Sequence, residues 1–195
     1  MDGFIHLVMD ILSESGLSDA SVHSKATTLP GYFRPTKDWD LVVVADGALL
    51  ASIEFKTHSG PSFGNNFNNR VEEALGNATD LWTAFREGAF KASQRPWLGY
   101  FMMLEEDRGS TGPVRISSPH FPAFKIFDGA SYARRYQVLC ERLMRERLYD
   151  AACFMMSSRK GGVKGEYREP FAELRFKNFA ESLMGRAIAH ARKRR

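Results

Sequence analysis

The chain has 195 residues, enough for one sizeable hydrophobic core. Its 44% hydrophobic and 26% charged residues are ordinary for a soluble globular protein, and no apolar run approaches the roughly 18 to 20 residues that a bilayer-spanning helix needs. Two cysteines, Cys140 and Cys153, are too few for a disulfide scaffold and lack the spacing of a zinc site, while a formal charge of +4 leans only slightly towards an anionic partner.

The opening "MDGFIHLVMDILSESGL" has an acid at its second position and no basic head, so it does not read as a signal peptide. A cytoplasmic protein is expected. Phe4, Ile5, Val8, Met9 and Leu12 recur at helical spacing, with Gly16 as a stop. Because this helix begins almost at residue 1, an element that normally precedes it is expected to be missing; otherwise residues 1–195 are read as a single domain.

"TTLPGYFRPT" reads as an irregular lead-in. "LVVVA" and "ALLASIEF", joined by Asp46 and Gly47, carry a hairpin signature, and both strands are oily enough to be central. "THSGPSFGNNFNN" reads as a polar loop. From residue 66 to about 87, Phe67, Val71, Ala74, Leu75, Ala78, Leu81, Trp82 and Phe85 predict a long helix over the sheet. "PWLGYFMML" predicts a strand, residues 105–129 an excursion of the chain, and Ser131 to Leu148 an amphipathic helix. "DAACFMMSS" reads as a strand, "RKGGVKGEYREP" as a basic, glycine-rich loop, and residues 171–190 as a last helix that ends in "HARKRR". The fold class is therefore α/β: a central mixed β-sheet carrying the hairpin, flanked by helices on both faces.

Charged residues border these buried runs. Glu54 and Lys56 share one face of their strand, because residues two apart point the same way. Whether Asp40 joins them depends on register. A two-residue Asp46-Gly47 turn would pair Asp40 with Ile53 and send it to the other face; a three-residue loop, or a bulge that restores its parity, would bring it beside Glu54. Granted that parity, two carboxylates and an ammonium converge. Two carboxylates repel unless a cation lies between them, and an all-oxygen set completed by water suits Mg2+. Such a centre serves phosphodiester hydrolysis, with the lysine orienting water or stabilising developing charge. The pattern D...ExK is weak by itself, since charges also end strands to meet solvent.

"DWDLVVV" followed by "IEFK" matches the PD-(D/E)xK nuclease signature, with Trp39 where many members have proline. "LPGYFRPTKDWDLVVV", "IEFKTHSGPSFGNNFNNRVEEALGNATDLWTAFREGAF", "PHF", "ASYARRY" and "ERLYDAA" together resemble the XhoI-type family of type II restriction endonucleases. The resemblance implies a restriction-endonuclease-like core. It also implies a site-specific deoxyribonuclease that uses Mg2+ to cut double-stranded DNA within the palindrome CTCGAG, leaving 5' overhangs and 5'-phosphates. Asp40 and Glu54 would then be the metal ligands and Lys56 the catalytic lysine. Asp38 is the rival for the first ligand; Asp40 is preferred because it abuts the apolar strand.

Asn65, Asn66, Asn68, Asn69 and Arg70 are candidates for DNA contact, since asparagine can read adenine and arginine guanine, and both bind phosphate. The alternative is a loop followed by an asparagine N-cap, and DNA contact somewhere in the block is the favoured reading. Arg34 and Lys37 are candidates for the phosphate backbone, as are Arg159, Lys160 and Lys164 in the glycine-rich stretch, where a solvated turn is an equal alternative. His58, two residues past Lys56, reads as a loop histidine, with a phosphate contact as the alternative, and Phe63, Phe67, Trp82 and Phe85 read as core. A palindromic site is met most simply by a homodimer, and protection of the host genome calls for a companion methyltransferase of matching specificity. Two rivals remain: a repair or recombination nuclease of the same fold, and a catalytically silent DNA-binding module.

Overall fold

A computed structural model describes residues 2–18, 21–91 and 93–192. Helix α1 (Asp2–Glu14) leads to a short edge strand β1 (Val22–His23), a two-stranded ribbon of β2 (Thr28–Pro30) and β3 (Thr36–Asp38), and the hairpin β4 (Leu41–Ala45) and β5 (Ala48–His58). Helix α2 (Phe63–Arg86) connects to β6 (Trp97–Glu105), followed by α3 (Arg108–Thr111), α4 (Tyr132–Arg145), β7 (Ala151–Ser157), α5 (Arg159–Gly162) and α6 (Phe176–Arg192). The five-stranded sheet runs β1-β4-β5-β6-β7, antiparallel as far as β5 and parallel from β5 to β7. Parallel neighbours need a crossover, and α2 and α4 supply the two helical ones.

Alternation along the strands divides the core in two. Val42, Tyr100, Met102, Phe154 and Met156 meet Phe67, Ala78 and Leu81 of α2 and Tyr136 and Leu143 of α4. Leu41, Val43, Ile53, Phe55, Phe101 and Met155 meet Val8 and Leu12 of α1 and Phe179 and Leu183 of α6. This is the mixed sheet with helices on both faces that the sequence predicts. Phe63, Phe67 and Trp82 are buried as expected, and both cysteines are buried, free thiols.

Several boundaries differ for local reasons. The lead-in before the hairpin is partly ordered: β2 and β3 pair despite Pro30, which sits at the end of its strand, where a missing N–H costs little. The asparagine block is helical, because α2 starts at Phe63 and apolar anchors Phe63 and Phe67 carry the helix back by one turn. The basic stretch after β7 begins with a helical turn, Arg159–Gly162, capped by the Ser158 hydroxyl, which accepts from the Gly161 N–H at 3.0 Å. Helix α4 begins with Ser131 accepting from Arg134 N–H, and its regular turns stop before Leu148. Residues 193–195 of the basic tail lie outside the described residues.

Candidate active site

Asp46 and Gly47 have φ of 54° and 73°, both left-handed, as the tightest hairpin turn requires. The turn pairs Ala45 with Ala48 and Val44 with Leu49. Continued unbroken, that register would point Asp40 away from Glu54. It is broken between Val43 and Val44: Val43 pairs with Ala51, so Leu50 is an extra residue on β5. Beyond the bulge Leu41 faces Ile53, and one step further sets Asp40 across from Glu54, on the Val42 face that looks towards α2. The sequence leaves a three-residue loop and a bulge open as ways to this parity; the structure uses the bulge.

Glu54 is 2% exposed. A carboxylate this deep needs compensation, and it has two cations. Lys56 Nζ contacts Oε1, and Lys37 Nζ lies 2.9 Å from Oε2. The Asn77 amide adds a long contact of 3.5 Å to Oε1. Asp40 is held by the backbone: Phe55 N–H donates to its Oδ2 at 2.7 Å. Burial and the neighbouring Glu54 charge raise the Asp40 carboxyl above its ordinary value, against the pull of the Phe55 amide, Lys56 and Lys37. A carboxyl made more basic by burial, with a second carboxylate beside it, is stabilised in its charged form by a bound cation. Among the described residues no group of three or more His, Cys, Asp or Glu side chains converges; Asp40 and Glu54 are a pair of facing carboxylates. One hydrogen bond leaves most of the Asp40 lone pairs open. A hard ion that keeps several waters fits such a pair; zinc, which favours histidine and thiolate, does not.

The wall beside Glu54 joins Arg34 to residues that are not among the sequence candidates. Asp80 of α2 accepts the N–H groups of Tyr32 and Phe33 at 2.7 and 2.8 Å and pairs with Arg34 Nε at 2.8 Å. Arg34 also donates to the Asn77 side-chain oxygen at 2.6 Å, and that same amide reaches Glu54. Burial works to raise the Asp80 carboxyl, but the Phe33 and Tyr32 amides and the Arg34 guanidinium together hold it below its ordinary value. A Cβ on Gly31 would stand 2.5 Å from an Asp80 oxygen, so the approach of this loop to α2 requires glycine. The available signal was a pair of polar residues three apart, Asn77 and Asp80, bordering the apolar stripe of α2.

The other candidates are dispersed. Asp38, the rival for the first ligand, is exposed and bonded to the Thr28 hydroxyl across the β2–β3 ribbon. Lys37, a candidate for the phosphate backbone, lies against Glu54, and Arg34, the other, pairs with Asp80 and Asn77. Asn65, Asn68 and Asn69 are exposed on the first two turns of α2, Asn66 is half-buried, and Arg70 pairs with Glu73. Arg159 opens the helical turn α5 where the sequence predicts a loop, and pairs with Glu105 at 2.7 Å and with the Gly60 carbonyl at 3.4 Å. Lys160 and Lys164 are exposed. His58 is not a loop residue either: it ends β5, is 3% exposed and meets the Tyr136 hydroxyl at 2.6 Å through Nδ1. Burial and Arg70 lower its pKa.

The model of the restriction endonuclease XhoI family matches residues 1–169. The chain belongs to the XhoI restriction endonuclease family. It is 49% identical over 197 residues to the type II restriction enzyme BstVI of Geobacillus stearothermophilus, covering 98% of this chain and 88% of that one. It is 51% identical over 147 residues to the type II restriction enzyme XhoI of Xanthomonas vasicola, with 74% and 59% covered. Over 123 residues it is 57% identical to the type II restriction enzyme AbrI of Azospirillum brasilense, with 62% and 55% covered. The match to XhoI and AbrI thus spans under two thirds of those chains. No solved structure matches the chain. In an XhoI-family chain the D...ExK residues stand at the end of the central hairpin, on one face, beside α2. Among the described residues no helix is long and apolar enough to cross a membrane.

Proposed function

We propose that this chain is a type II site-specific deoxyribonuclease that hydrolyses double-stranded DNA at CTCGAG, leaving 5' overhangs and 5'-phosphates, with Mg2+ as cofactor. The observation that carries the reading is the bulged hairpin, which places Asp40 across from Glu54 and Lys56 beside it in a chain that is 49% identical to a type II restriction enzyme. Asp40 and Glu54 would hold the ion, which supplies Lewis-acid polarisation of the phosphate and neutralises its charge. Lys56 keeps an ammonium on the same face, where it orients the attacking water and stabilises charge that develops on the phosphate. Asn77, braced by Arg34, limits the positions open to the Glu54 carboxylate. The exposed Asn65, Asn68 and Asn69, together with Asn66 and Arg70, are assigned to DNA along the start of α2; Lys160 and Lys164 are assigned to phosphates.

A homodimer would place one such centre on each strand of a palindrome, and a methyltransferase of matching specificity would protect the host. Incubation of the protein and Mg2+ with a duplex containing one CTCGAG, followed by end mapping, tests the whole reading. Symmetric cuts within the hexamer, abolished by EDTA, are expected. Cleavage of a duplex that lacks the hexamer at an equal rate would remove the specificity, and an intact cognate duplex would remove the activity.

A further inference from the structure

Glu54 carries two ammonium groups, one more than the chemistry proposed above uses. Lys56 is on the central strand β5 and two residues from Glu54, so the pleat fixes it on that face. Lys37 comes from elsewhere. It lies on β3, in a two-stranded ribbon outside the main sheet, and its side chain is only 12% exposed. Its ammonium donates to the Asp38 carbonyl at 2.8 Å, stands 4.7 Å from the centre of the Trp39 ring, and reaches Glu54 Oε2 at 2.9 Å. Asp40 and Glu54 contribute two negative charges and Lys37 and Lys56 two positive ones, so these four groups balance without any other cation. A divalent ion shared by the carboxylates would leave an excess of two positive charges and would compete with an ammonium for Glu54.

We propose that Lys37 is the resident counterion of Glu54: it neutralises the carboxylate when no divalent ion is bound, and exchanges that contact for a DNA phosphate when one is. The inference rests on the assignment of Asp40 and Glu54 as metal ligands. Of the two lysines, Lys37 is the one placed to leave, because it lies outside the main sheet and its long side chain can turn, while the Trp39 ring and the Asp38 carbonyl offer holds that do not depend on Glu54. The exchange makes metal and duplex mutually reinforcing. The ion releases an ammonium to the phosphate, and the phosphate removes a cation that opposes the ion, a coupling that must act equally in both directions.

Two measurements test this on the full chain. Mn2+ binding to the DNA-free protein, read by electron paramagnetic resonance, should be tighter in Lys37→Met than in the native protein by about threefold or more. Lys177→Met, which alters an exposed helical lysine, should bind as native. Fluorescence anisotropy of a CTCGAG duplex, with and without Ca2+ at constant ionic strength and with intact duplex verified on a gel, should show that Ca2+ tightens binding to the native protein. In Lys37→Met that gain should shrink about fivefold or more, within the range of ordinary coupling between sites, and Lys37→Arg should restore part of it. Unchanged Mn2+ affinity in Lys37→Met, or an unchanged gain with Ca2+, overturns the role of Lys37. Glu54→Gln separates the two layers: if it binds Mn2+ as the native protein does, the metal assignment itself fails.

Discussion

Phe55 N–H donates to Oδ2 of Asp40 at 2.7 Å, so the amide between Glu54 and Lys56 in the chain holds the carboxylate that faces them. An asparagine at position 40 could accept the same hydrogen bond through its amide oxygen while carrying no charge. Asp40→Asn is therefore expected to fold with a urea midpoint at or slightly above native at neutral pH, since it also removes repulsion from Glu54. DNA cleavage should fall by about 10²- to 10³-fold, the scale of losing one electrostatic partner in a transition state. Steady-state cleavage and a urea melt on the same preparation check this. Retained cleavage would show that the ion, if used, is held elsewhere.

The raised pKa of Asp40 also fixes the sign of two pH effects. For stability, a carboxyl that binds its proton more tightly in the folded state favours folding below its unfolded value and ceases to do so as pH rises through the folded one. The advantage of Asp40→Asn over native should thus be largest near neutrality and shrink as pH falls towards the ordinary aspartate range. For activity, Asp40 must be ionised to hold a cation, so the acid limb of the rate profile should lie above that range and move to lower pH as Mg2+ is increased. Rate profiles at two Mg2+ concentrations measure the shift, and coincident acid limbs would count against Asp40 as a ligand.

Asp80 has the opposite sign. Its lowered pKa means that it stabilises the fold above the unfolded value and that this contribution is lost as pH falls through the folded one. Asp80→Ala leaves the Tyr32 and Phe33 amides and the Arg34 guanidinium without their acceptor, a loss of about 2 to 4 kcal/mol at neutral pH. Gly31→Ala should cost about 1 to 3 kcal/mol by crowding the same carboxylate. Both variants should lose kcat beyond any loss of folded protein, because Arg34 braces the Asn77 amide beside Glu54. Denaturant titrations at pH 7 and at steps down to below the ordinary aspartate value check the sign: the Asp80→Ala deficit should narrow once the pH falls below that value.

The hairpin was legible because Asp46-Gly47 between two β-branched or aliphatic runs admits few alternatives. Its decisive detail was not: Leu50, the bulged residue, is one aliphatic in a run of aliphatics, and nothing local distinguishes it from a regularly paired neighbour. The sequence places the start of helix α2 one turn late, because glycine and asparagines at residues 64–69 speak for a loop, whereas burial of Phe63 and Phe67 outweighs that propensity. Lys37 and Arg34 were recognisable as cations near acids, but their partners Glu54, Asp80 and Asn77 are 17, 46 and 43 positions distant, and such pairings are set by tertiary structure. His58 looked like a loop residue for a similar reason: Tyr136, which engages it, is 78 positions away.

The helical asparagines give a prediction on recognition. Asn65, Asn68 and Asn69 present side chains to solvent from the first two turns of α2, while Arg70 is half-buried and partly spent on Glu73. If these amides read base edges, alanine at the contacting position should weaken binding to CTCGAG by about 1 to 3 kcal/mol and leave nonspecific binding nearly unchanged. Lys164→Ala, at an exposed cation beside Gly165, should instead weaken cognate and noncognate binding alike and reduce the salt slope by about one. Anisotropy titrations with cognate and scrambled duplexes at several salt concentrations separate the two behaviours. Equal losses on both duplexes for all three asparagines would move them from base reading to the phosphate backbone, and with them the specificity determinant to another part of the chain.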